Sequence, residues 1–487
     1  MDKAHRDILK HSAIYGVGQI LTRLASFVML PLYTHWLTPA DYGTIAILDL
    51  TAGLLALLVG SGMLQAMSRY HFEAADDRDR DQVWWTGLSS LGLTSAAMVL
   101  PFWLMRTHLA RWTLGPEQTD GSYFISLILA TLVFQVIAQP LDQHLRVYKR
   151  SAFSVAVALG RLALNIALNV YFLVVLQLGV AGVLWGNMLA GAASTAVLFL
   201  AFAWSRGRYR LSVPMLGQLL RYGMPLIITG LLGTMMHQAD RYLLRMFTDL
   251  GEVGIYSLAY TLAQAVNALI LGPFCAIWNV AIFEIADRPD AKHVYRTVFR
   301  YYTEFVALAL LGVSLFAGPI LDIMASESFA PAAQLVPPLC LAYLLFGMHI
   351  HFQTPVLLAK RTTLLIPCYV VAVVANIGLN LLLIPHFGAM AAAWTSVVTF
   401  AVYSFTGLAV YRQVDDYQFP LARTGLVVAG MTLCYVLSHT LDKAGLNYWL
   451  YLALGTLMLC AWGWALFRRI LPSLRQFVPR PSADVVG

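Results

Sequence analysis

Charged residues are scarce in this sequence. Asp, Glu, Lys and Arg make up 12% of its 487 residues, about half of the ~25% share of a soluble domain. No Gly-Lys pair occurs, so the phosphate-binding loop G-x-x-x-x-G-K-[ST] is absent. The five cysteines fall inside apolar runs, without metal-ligand or disulfide spacing. No loop exceeds about 16 residues. These features exclude a soluble catalytic domain and nucleotide hydrolysis by this chain, and they predict neither metal nor cofactor.

Long apolar runs dominate the chain instead. It is 59% hydrophobic, with a mean hydropathy of +0.69. Runs of this kind recur from one end to the other, and each is long enough to cross a bilayer as a helix. We therefore predict an all-α integral membrane protein with about fourteen transmembrane helices. Their approximate limits are 12–36, 43–68, 83–105, 121–143, 152–176, 180–204, 218–247, 253–282, 298–324, 332–355, 363–385, 388–411, 421–440 and 447–467.

The distribution of Lys and Arg predicts the orientation in the membrane. Of the 32 such residues, 25 fall in loops on the side of the N-terminus, 3 in the opposite loops and 4 inside spans. Positive residues concentrate in cytoplasmic loops, so both termini are expected in the cytoplasm. Orientation also accounts for the net charge of +7, and we predict no nucleic-acid partner.

An internal repeat is visible at a constant offset of 211 residues. Six predicted spans separate the two copies, so both have the same orientation and form a parallel repeat. We predict an N-terminal six-helix lobe (1–211), a C-terminal six-helix lobe (212–412) and an appended helix pair with a cytoplasmic tail (413–487), with the substrate path between the lobes. The matching segments include 41–43 with 252–254, 148–151 with 359–362 and 165–169 with 376–380.

Four arginines fall inside the predicted spans: Arg23, Arg161, Arg241 and Arg245. None has a charged counterpart at the 211-residue offset, so they are additions to the repeated scaffold. A charge at the bilayer centre costs roughly 3 kcal/mol on insertion scales, and such a residue faces a partner or a water-filled cavity. Guanidinium stays charged and binds phosphate in a bidentate manner. We therefore predict a cationic cavity for an anionic group, to which Asn165 and Gln139 also contribute.

Titratable residues near these arginines are predicted as coupling groups or charge partners. They are His237, Asp240 and Asp49.

Structural roles remain open for several of these residues. Arg245 lies close to an outer loop and can extend its charge into the interface. Arg23 and Arg241 can pair with Asp49 or Asp240, and His237 can be an ordinary bundle residue. The Asn and Gln side chains can connect helices instead of lining a cavity.

Two stretches resemble a known family. HSAIYGVGQILTRLASFVMLPLYTHWLTPADYGTIAILDL resembles the start of the polysaccharide transporter (Wzx-type flippase) branch of the multidrug/oligosaccharidyl-lipid/polysaccharide exporter superfamily. ADRYLLRMFTDLGEVGIYSLAY resembles the seventh and eighth helices of that family. The resemblance covers essentially the whole chain, and the family's cationic central cavity is matched here by Arg23, Arg161 and Arg241.

The resemblance implies a transporter rather than an enzyme. Its substrate would be an undecaprenyl-diphosphate-linked oligosaccharide repeat unit, moved by alternating access from the cytoplasmic to the periplasmic leaflet of the bacterial inner membrane. The product would serve O-antigen or exopolysaccharide synthesis. The implied partners are the lipid bilayer, a polysaccharide polymerase and glycosyltransferases.

Several other functions remain open at this point. A lipid II flippase of the same superfamily also has fourteen helices and arginines. A multidrug antiporter typically uses carboxylates, for which Asp49 and Asp240 are the deep candidates. A membrane glycosyltransferase or polymerase would need a large outer loop, and the outer loops here are short. A major-facilitator transporter would carry a Gly-rich Asp-Arg motif, which RYHFEAADDRDRD between spans 2 and 3 lacks.

Overall fold

The computed structural model describes residues 18, 21, 27–205, 209–414, 419–443 and 448–477. Within these residues all regular secondary structure is helical. The predicted site residue Arg23 lies outside them. We number the described helices α1 to α17: residues 27–36, Pro39–Glu73, Asp77–Leu104, Arg106–Leu114, Gly121–Val147, Ser151–Val170, Gly179–Ser205, Val213–Phe247, Leu250–Val266, Gly272–Ala286, Ala291–Leu315, Ala317–Met324, Ala332–Phe352, Thr354–Leu358, Ile366–Tyr411, Leu421–Lys443 and Tyr448–Phe477.

Short side-chain caps set where several of these helices begin. The Thr38 hydroxyl and the Asp41 carboxylate form a capping box at the start of α2. Asp76 caps α3 by accepting from the Asp79 amide, and Ser212 caps α8. Each cap satisfies a backbone N–H that has no partner within its helix.

The helices are long and apolar enough to support the prediction of a multi-pass membrane protein. Ten helices in the described part of the chain can cross a membrane by length and composition. One of them contains α15, which bends at Gly388, the first residue of the twelfth predicted span. The shorter apolar segments 421–436 and 453–468 coincide with the last two predicted spans. The all-helical class is confirmed, and the count of fourteen stays a prediction.

Helix boundaries follow the 211-residue offset seen in the sequence. The short helices α4 and α12 were not predicted as separate helices. α4 follows the third predicted span and α12 forms the end of the ninth, 298–324, yet the two occupy equivalent places in the repeat. Matching boundaries are Leu104 with Leu315, Arg106 with Ala317, and Gly121 with Ala332.

Backbone conformation repeats in the same way. Lys149 and Lys360 both have positive φ, at 55° and 59°. Gln177 and Gly388 form a second pair, at 52° and 54°. Left-handed backbone is uncommon for residues other than glycine, so its recurrence at one offset indicates a repeated fold. The arrangement of the two predicted lobes in space stays a prediction.

Contacts divide the chain into two compact units that do not coincide with single stretches of sequence. The first comprises residues 1–258, 323–330 and 373–392, and the second comprises 259–322, 331–372 and 393–487. In the first unit, α2 packs along α8, and α7 packs against both α5 and α6. In the second unit, α11 packs against α13 and α16, where the buried Glu304 carboxylate accepts from Arg423 Nε at 2.9 Å.

Candidate polar cavity and intramembrane charges

Three neighbouring helices of the first unit, α5, α6 and α7, line a polar cavity of about 800 Å³. Cavities of this size hold a small-molecule ligand or a polar headgroup. Of the predicted site residues, Arg161, Asn165 and Gln139 lie together in its wall. The polar and charged lining residues are Gln135, Gln139, Asp142, Arg146, Ser154, Arg161, Asn165, Asn187 and Ser194.

The Arg161 guanidinium faces this cavity without a partner among the described residues. It lies on α6, its side chain is exposed, and it forms no hydrogen bond or ion pair with another described residue. A guanidinium carries five N–H donors in a planar fork. These donors remain available for a ligand or for water.

The other charges in the cavity wall neutralise one another. Asp142 pairs with Arg146, one turn further along α5, with Arg146 Nη2 and Asp142 Oδ2 2.8 Å apart. The Ser154 hydroxyl donates to the second oxygen of Asp142 at 2.5 Å. Arg161 is therefore the uncompensated cation in the described lining.

Amide side chains surround this cation. Gln135 and Gln139 lie one turn apart on α5, so they share a face of the helix. Asn165 lies one turn after Arg161 on α6, and its Nδ2 donates to Asn187 Oδ1 of α7 at 2.8 Å. Asn165 thus lines the cavity and also connects two helices, which combines the two roles that its sequence pattern left open. Amides offer both donors and acceptors, as a glycan hydroxyl requires.

Asn187 was missed by the sequence analysis, and so was the Asp142–Arg146 pair. Asn187 is a single amide within the apolar stretch GVAGVLWGNMLAGAAS, with no polar residue one turn away. Its isolation inside a predicted span was the available signal, because a lone amide in a membrane helix requires a partner.

Arg241, by contrast, is buried in α8 among protein partners. It is 7% exposed and Asp240 is 2% exposed, with Arg241 Nη1 4.0 Å from Asp240 Oδ1. The Tyr256 hydroxyl of α9 donates to the other oxygen of Asp240, and the Tyr256 ring centroid lies 5.7 Å from the Arg241 guanidinium carbon. His237 contributes its backbone carbonyl at 3.4 Å from Arg241 Nη1. These contacts favour the charge-partner role predicted for Asp240.

Arg245 is also committed to protein atoms, at the far end of α8. Its Nε and Nη2 donate to the Leu114 carbonyl at 3.0 and 2.5 Å, and Nη1 donates to the Thr248 carbonyl at 3.1 Å. Glu117 adds an ion pair at 3.0 Å. The guanidinium therefore binds the carboxyl end of α4, where helix carbonyls lack partners. This geometry agrees with the expectation that Arg245 extends towards an outer loop.

The remaining predicted partner, Asp49, lies on α2 with an exposed side chain. It forms no hydrogen bond or ion pair with another described residue. The structure thus brings Arg161, Asn165 and Gln139 together, and it gathers Arg241, Asp240 and His237 elsewhere on α8. Within the described part of the chain, no three His, Cys, Asp or Glu side chains group in a way that could hold a metal ion.

Comparison with known proteins adds a family and a fold. Residues 8–278, more than half of the chain, match the family described as polysaccharide biosynthesis protein. The EPS I polysaccharide export inner membrane protein EpsE of Ralstonia nicotianae is 22% identical over 435 residues, which cover 88% of this chain and 92% of that protein.

Two solved structures with a similar fold are those of a flippase and a transporter. The lipid II flippase MurJ in an inward closed conformation has a TM-score of 0.76 at 10% identity, covering 95% of this chain and 100% of that chain. An inward-facing multidrug resistance MATE family transporter of the MOP superfamily has a TM-score of 0.66 at 15% identity, covering 85% and 99%. At these identities the likeness shows the fold alone.

Proposed function

Because the chain belongs to the polysaccharide biosynthesis protein family, we propose that it is a flippase for an undecaprenyl-diphosphate-linked oligosaccharide repeat unit. The membership confirms the resemblance expected from the sequence, and the chain is a multi-pass membrane transporter rather than an enzyme. The proposed movement is from the cytoplasmic to the periplasmic leaflet of the bacterial inner membrane, by alternating access, with both termini in the cytoplasm. The product would feed O-antigen or exopolysaccharide synthesis.

The observation that carries this proposal is the uncommitted guanidinium of Arg161 in the polar cavity. A diphosphate carries about two negative charges, and each meets a large desolvation penalty in hydrocarbon. A charge-assisted hydrogen bond contributes roughly 1.5–3 kcal/mol, so a free guanidinium offsets part of that penalty. We propose that Arg161 receives the anionic group of the substrate.

The surrounding amides suit the rest of a glycan headgroup. The same cavity is lined by Gln135, Gln139, Asn165 and Asn187. Their amides can donate hydrogen bonds to sugar hydroxyls and accept from them in many relative orientations. Such a wall binds saccharides without being restricted to one sugar. The lipid tail stays in the bilayer, and we propose that a polymerase and glycosyltransferases act on the product and supply the substrate.

The substrate roles predicted for Arg241 and Arg245 have less support than that of Arg161, and the role predicted for Arg23, which lies outside the described residues, stays a proposal. Arg241 and Arg245 bind protein atoms at distances that leave fewer donors for a ligand than Arg161 has. In this proposal they hold α8 in place, and Arg161 carries the contact with the substrate.

Lipid II is a second candidate substrate, because a lipid II flippase shares the fold over 95% of this chain. Lipid II also has a prenyl diphosphate and a saccharide, so the cavity chemistry fits both substrates. A multidrug antiporter is supported less well. Of its two candidate carboxylates, Asp240 is buried and accepts from Tyr256, so it is engaged with the protein, and Asp49 alone of the two stays open to a cationic drug.

Complementation in two bacterial strains tests the proposal. One strain lacks its polysaccharide repeat-unit flippase, and the other depends on a repressible lipid II flippase. We expect the chain to restore surface polysaccharide in the first strain and not growth in the second. Growth of the second strain alone, at matched membrane abundance, would assign the chain to lipid II instead.

A further inference from the structure

Two helices that begin in the first unit, α2 and α9, begin in the same way. In α2, the Asp41 amide donates to the Thr38 hydroxyl at 3.2 Å. In α9, the Glu252 amide donates to the Asp249 carboxylate at 2.8 Å. The two capping residues are 211 positions apart, and so are the two donors. The caps are therefore copies of one another in the internal repeat.

The first turns of these two helices cross at one glycine from each. A Cβ atom added to Gly43 would fall on the carbonyl oxygen of Leu250, and one added to Gly254 would fall on the carbonyl oxygen of Pro39. Both substitutions meet backbone, which cannot move aside as a flexible side chain can. Glycine is therefore required on both sides, because only small residues allow helix backbones to approach so closely.

This crossing has local two-fold symmetry. At the repeat offset of 211, Gly43 corresponds to Gly254, and Pro39 corresponds to Leu250. The contact of Gly43 with the Leu250 carbonyl is thus equivalent to the contact of Gly254 with the Pro39 carbonyl. The two equivalent glycines also approach each other, as residues beside a local two-fold axis do.

Further contacts join this end of the first unit. Glu252 Oε1 accepts from the Ala389 amide at 2.7 Å, directly after the left-handed Gly388. The Tyr42 ring packs edge-on against Phe329, with centroids 5.8 Å apart. In the topology predicted from the Lys and Arg bias, all of these residues lie at the periplasmic end of their spans.

We propose that the crossing of Gly43 and Gly254 is the outer gate of the transporter. The inference rests on the proposed function, since alternating access requires the periplasmic end to close while substrate enters from the cytoplasm. The glycine contact itself is made with backbone atoms, so it can separate when the helices move as rigid bodies and the Glu252–Ala389 and Tyr42–Phe329 contacts part. Packed interfaces of this kind have two discrete arrangements rather than a continuum.

Distance measurement by double electron–electron resonance tests the gate without any substrate. Spin labels replace His35 and Met246, two exposed residues that precede the crossing and are themselves 211 positions apart. They are attached in a variant from which the five native cysteines have been removed. Gly43→Ala and Gly254→Ala are then compared with Gly53→Ala, a control on α2 whose added Cβ meets no atom within 4 Å.

We expect both gate variants to shift the distance distribution to a longer population, and Gly53→Ala to leave it unchanged. Overpacking of this kind favours the separated state by roughly tenfold. Because the two glycines form one contact, the double variant should show little more than either single variant. Unchanged distances in both gate variants would overturn the proposal, and so would a shift in only one of them.

A second measurement keeps the glycines intact, so it stands even if the alanine variants accumulate poorly. In a variant with His35→Cys and Met246→Cys, a short cleavable cross-linker joins the two side chains, and transport is measured before and after cleavage. We expect transport to stop when the residues are joined and to recover after release. Unchanged transport in the cross-linked protein would reject the gate. Absence of lipid-linked saccharide transport in the uncross-linked protein would reject the proposed function, while the distance measurement would still decide on the gate.

Discussion

The three intramembrane arginines that the structure describes occupy two different environments. On α6, Arg161 faces a cavity lined by amides and has no partner among the described residues. On α8, Arg241 lies beside a buried carboxylate, and Arg245 donates to two backbone carbonyls. A cation that is already paired stabilises its surroundings, whereas an unpaired one in a polar cavity attracts an anion. We therefore assign a binding role to Arg161 and a structural role to Arg241 and Arg245, from the contacts of each guanidinium.

Removal of the charge at Arg161 should have the largest effect. We expect Arg161→Ala to abolish surface polysaccharide in a flippase-deficient strain at normal membrane abundance. Arg161→Lys should be partly active, because the charge remains but the bidentate fork is lost. Arg106→Ala, at an arginine whose guanidinium stacks on Trp103 outside the cavity, serves as the matched control. Full activity of Arg161→Ala would contradict the binding role that we assign to the unpaired arginine.

Removal of the carboxylate at Asp240 should cause the largest loss of stability. Asp240→Ala leaves the buried charge of Arg241 without its nearest carboxylate, and breaking a buried pair in this way costs about 3–5 kcal/mol. We expect a strongly lowered apparent Tm in detergent and low membrane abundance. Asp240→Ala combined with Arg241→Met should recover part of the loss, since no unpaired charge remains. If Asp240→Ala were as stable as the unmodified protein, the scaffolding role would be wrong.

Removal of the Arg245 side chain should cost less. The Leu114 carbonyl loses two donated hydrogen bonds in Arg245→Ala, and we expect a loss of about 2 kcal/mol. The ion pair with Glu117 adds little, because the Glu117 side chain is 76% exposed and surface ion pairs are weak. Glu117→Gln should therefore be nearly neutral in the same unfolding assay. A larger loss in Glu117→Gln than in Arg245→Ala would reverse this assignment.

Substitution of single amides should have the smallest effects, both on transport and on membrane abundance. Asn187→Ala removes one neutral hydrogen bond from the cavity wall, and we expect transport to fall by no more than about tenfold. Asn169→Ala changes a fully buried residue outside the cavity lining, whose Nδ2 donates to the Asn165 carbonyl at 2.8 Å. It should lower membrane abundance while transport per molecule is retained. If Asn187→Ala lowered membrane abundance and Asn169→Ala lowered transport per molecule, Asn169 would be the binding residue and Asn187 the structural one.

The sequence predicted the class of the fold and the repeat because both depend on regular patterns. Apolar runs predict membrane helices, and the offset of 211 reappears in helix ends and in backbone conformation. The helices α4 and α12 were missed because each is shorter than a membrane span. α4 lies between two predicted spans, and α12 was included in the end of the ninth. Gly388 was placed at a predicted boundary between spans, where the structure has a sharp bend within α15.

The site was predicted by residue type but not by grouping. Arg161 and Asn165 lie one turn apart on one helix, so sequence spacing brought them together. The Leu114 carbonyl and the Tyr256 hydroxyl, which engage Arg245 and Asp240, come from other helices and carry no local signal. Sequence alone could not separate binding from structural roles among these arginines. Tertiary contacts distinguish Arg161 from Arg241 and Arg245, the three that the structure describes.

Direct binding of an undecaprenyl-diphosphate-linked saccharide to the purified protein in nanodiscs tests the central claim. The affinity of Arg161→Ala is compared with those of the unmodified protein, Arg106→Ala and Arg245→Lys, each at low and high salt. We predict that Arg161→Ala binds at least about tenfold more weakly and shows a smaller salt dependence, while the other two variants bind like the unmodified protein. Equal affinity in Arg161→Ala, with a loss confined to Arg245→Lys, would contradict the assignment of the anion to the polar cavity.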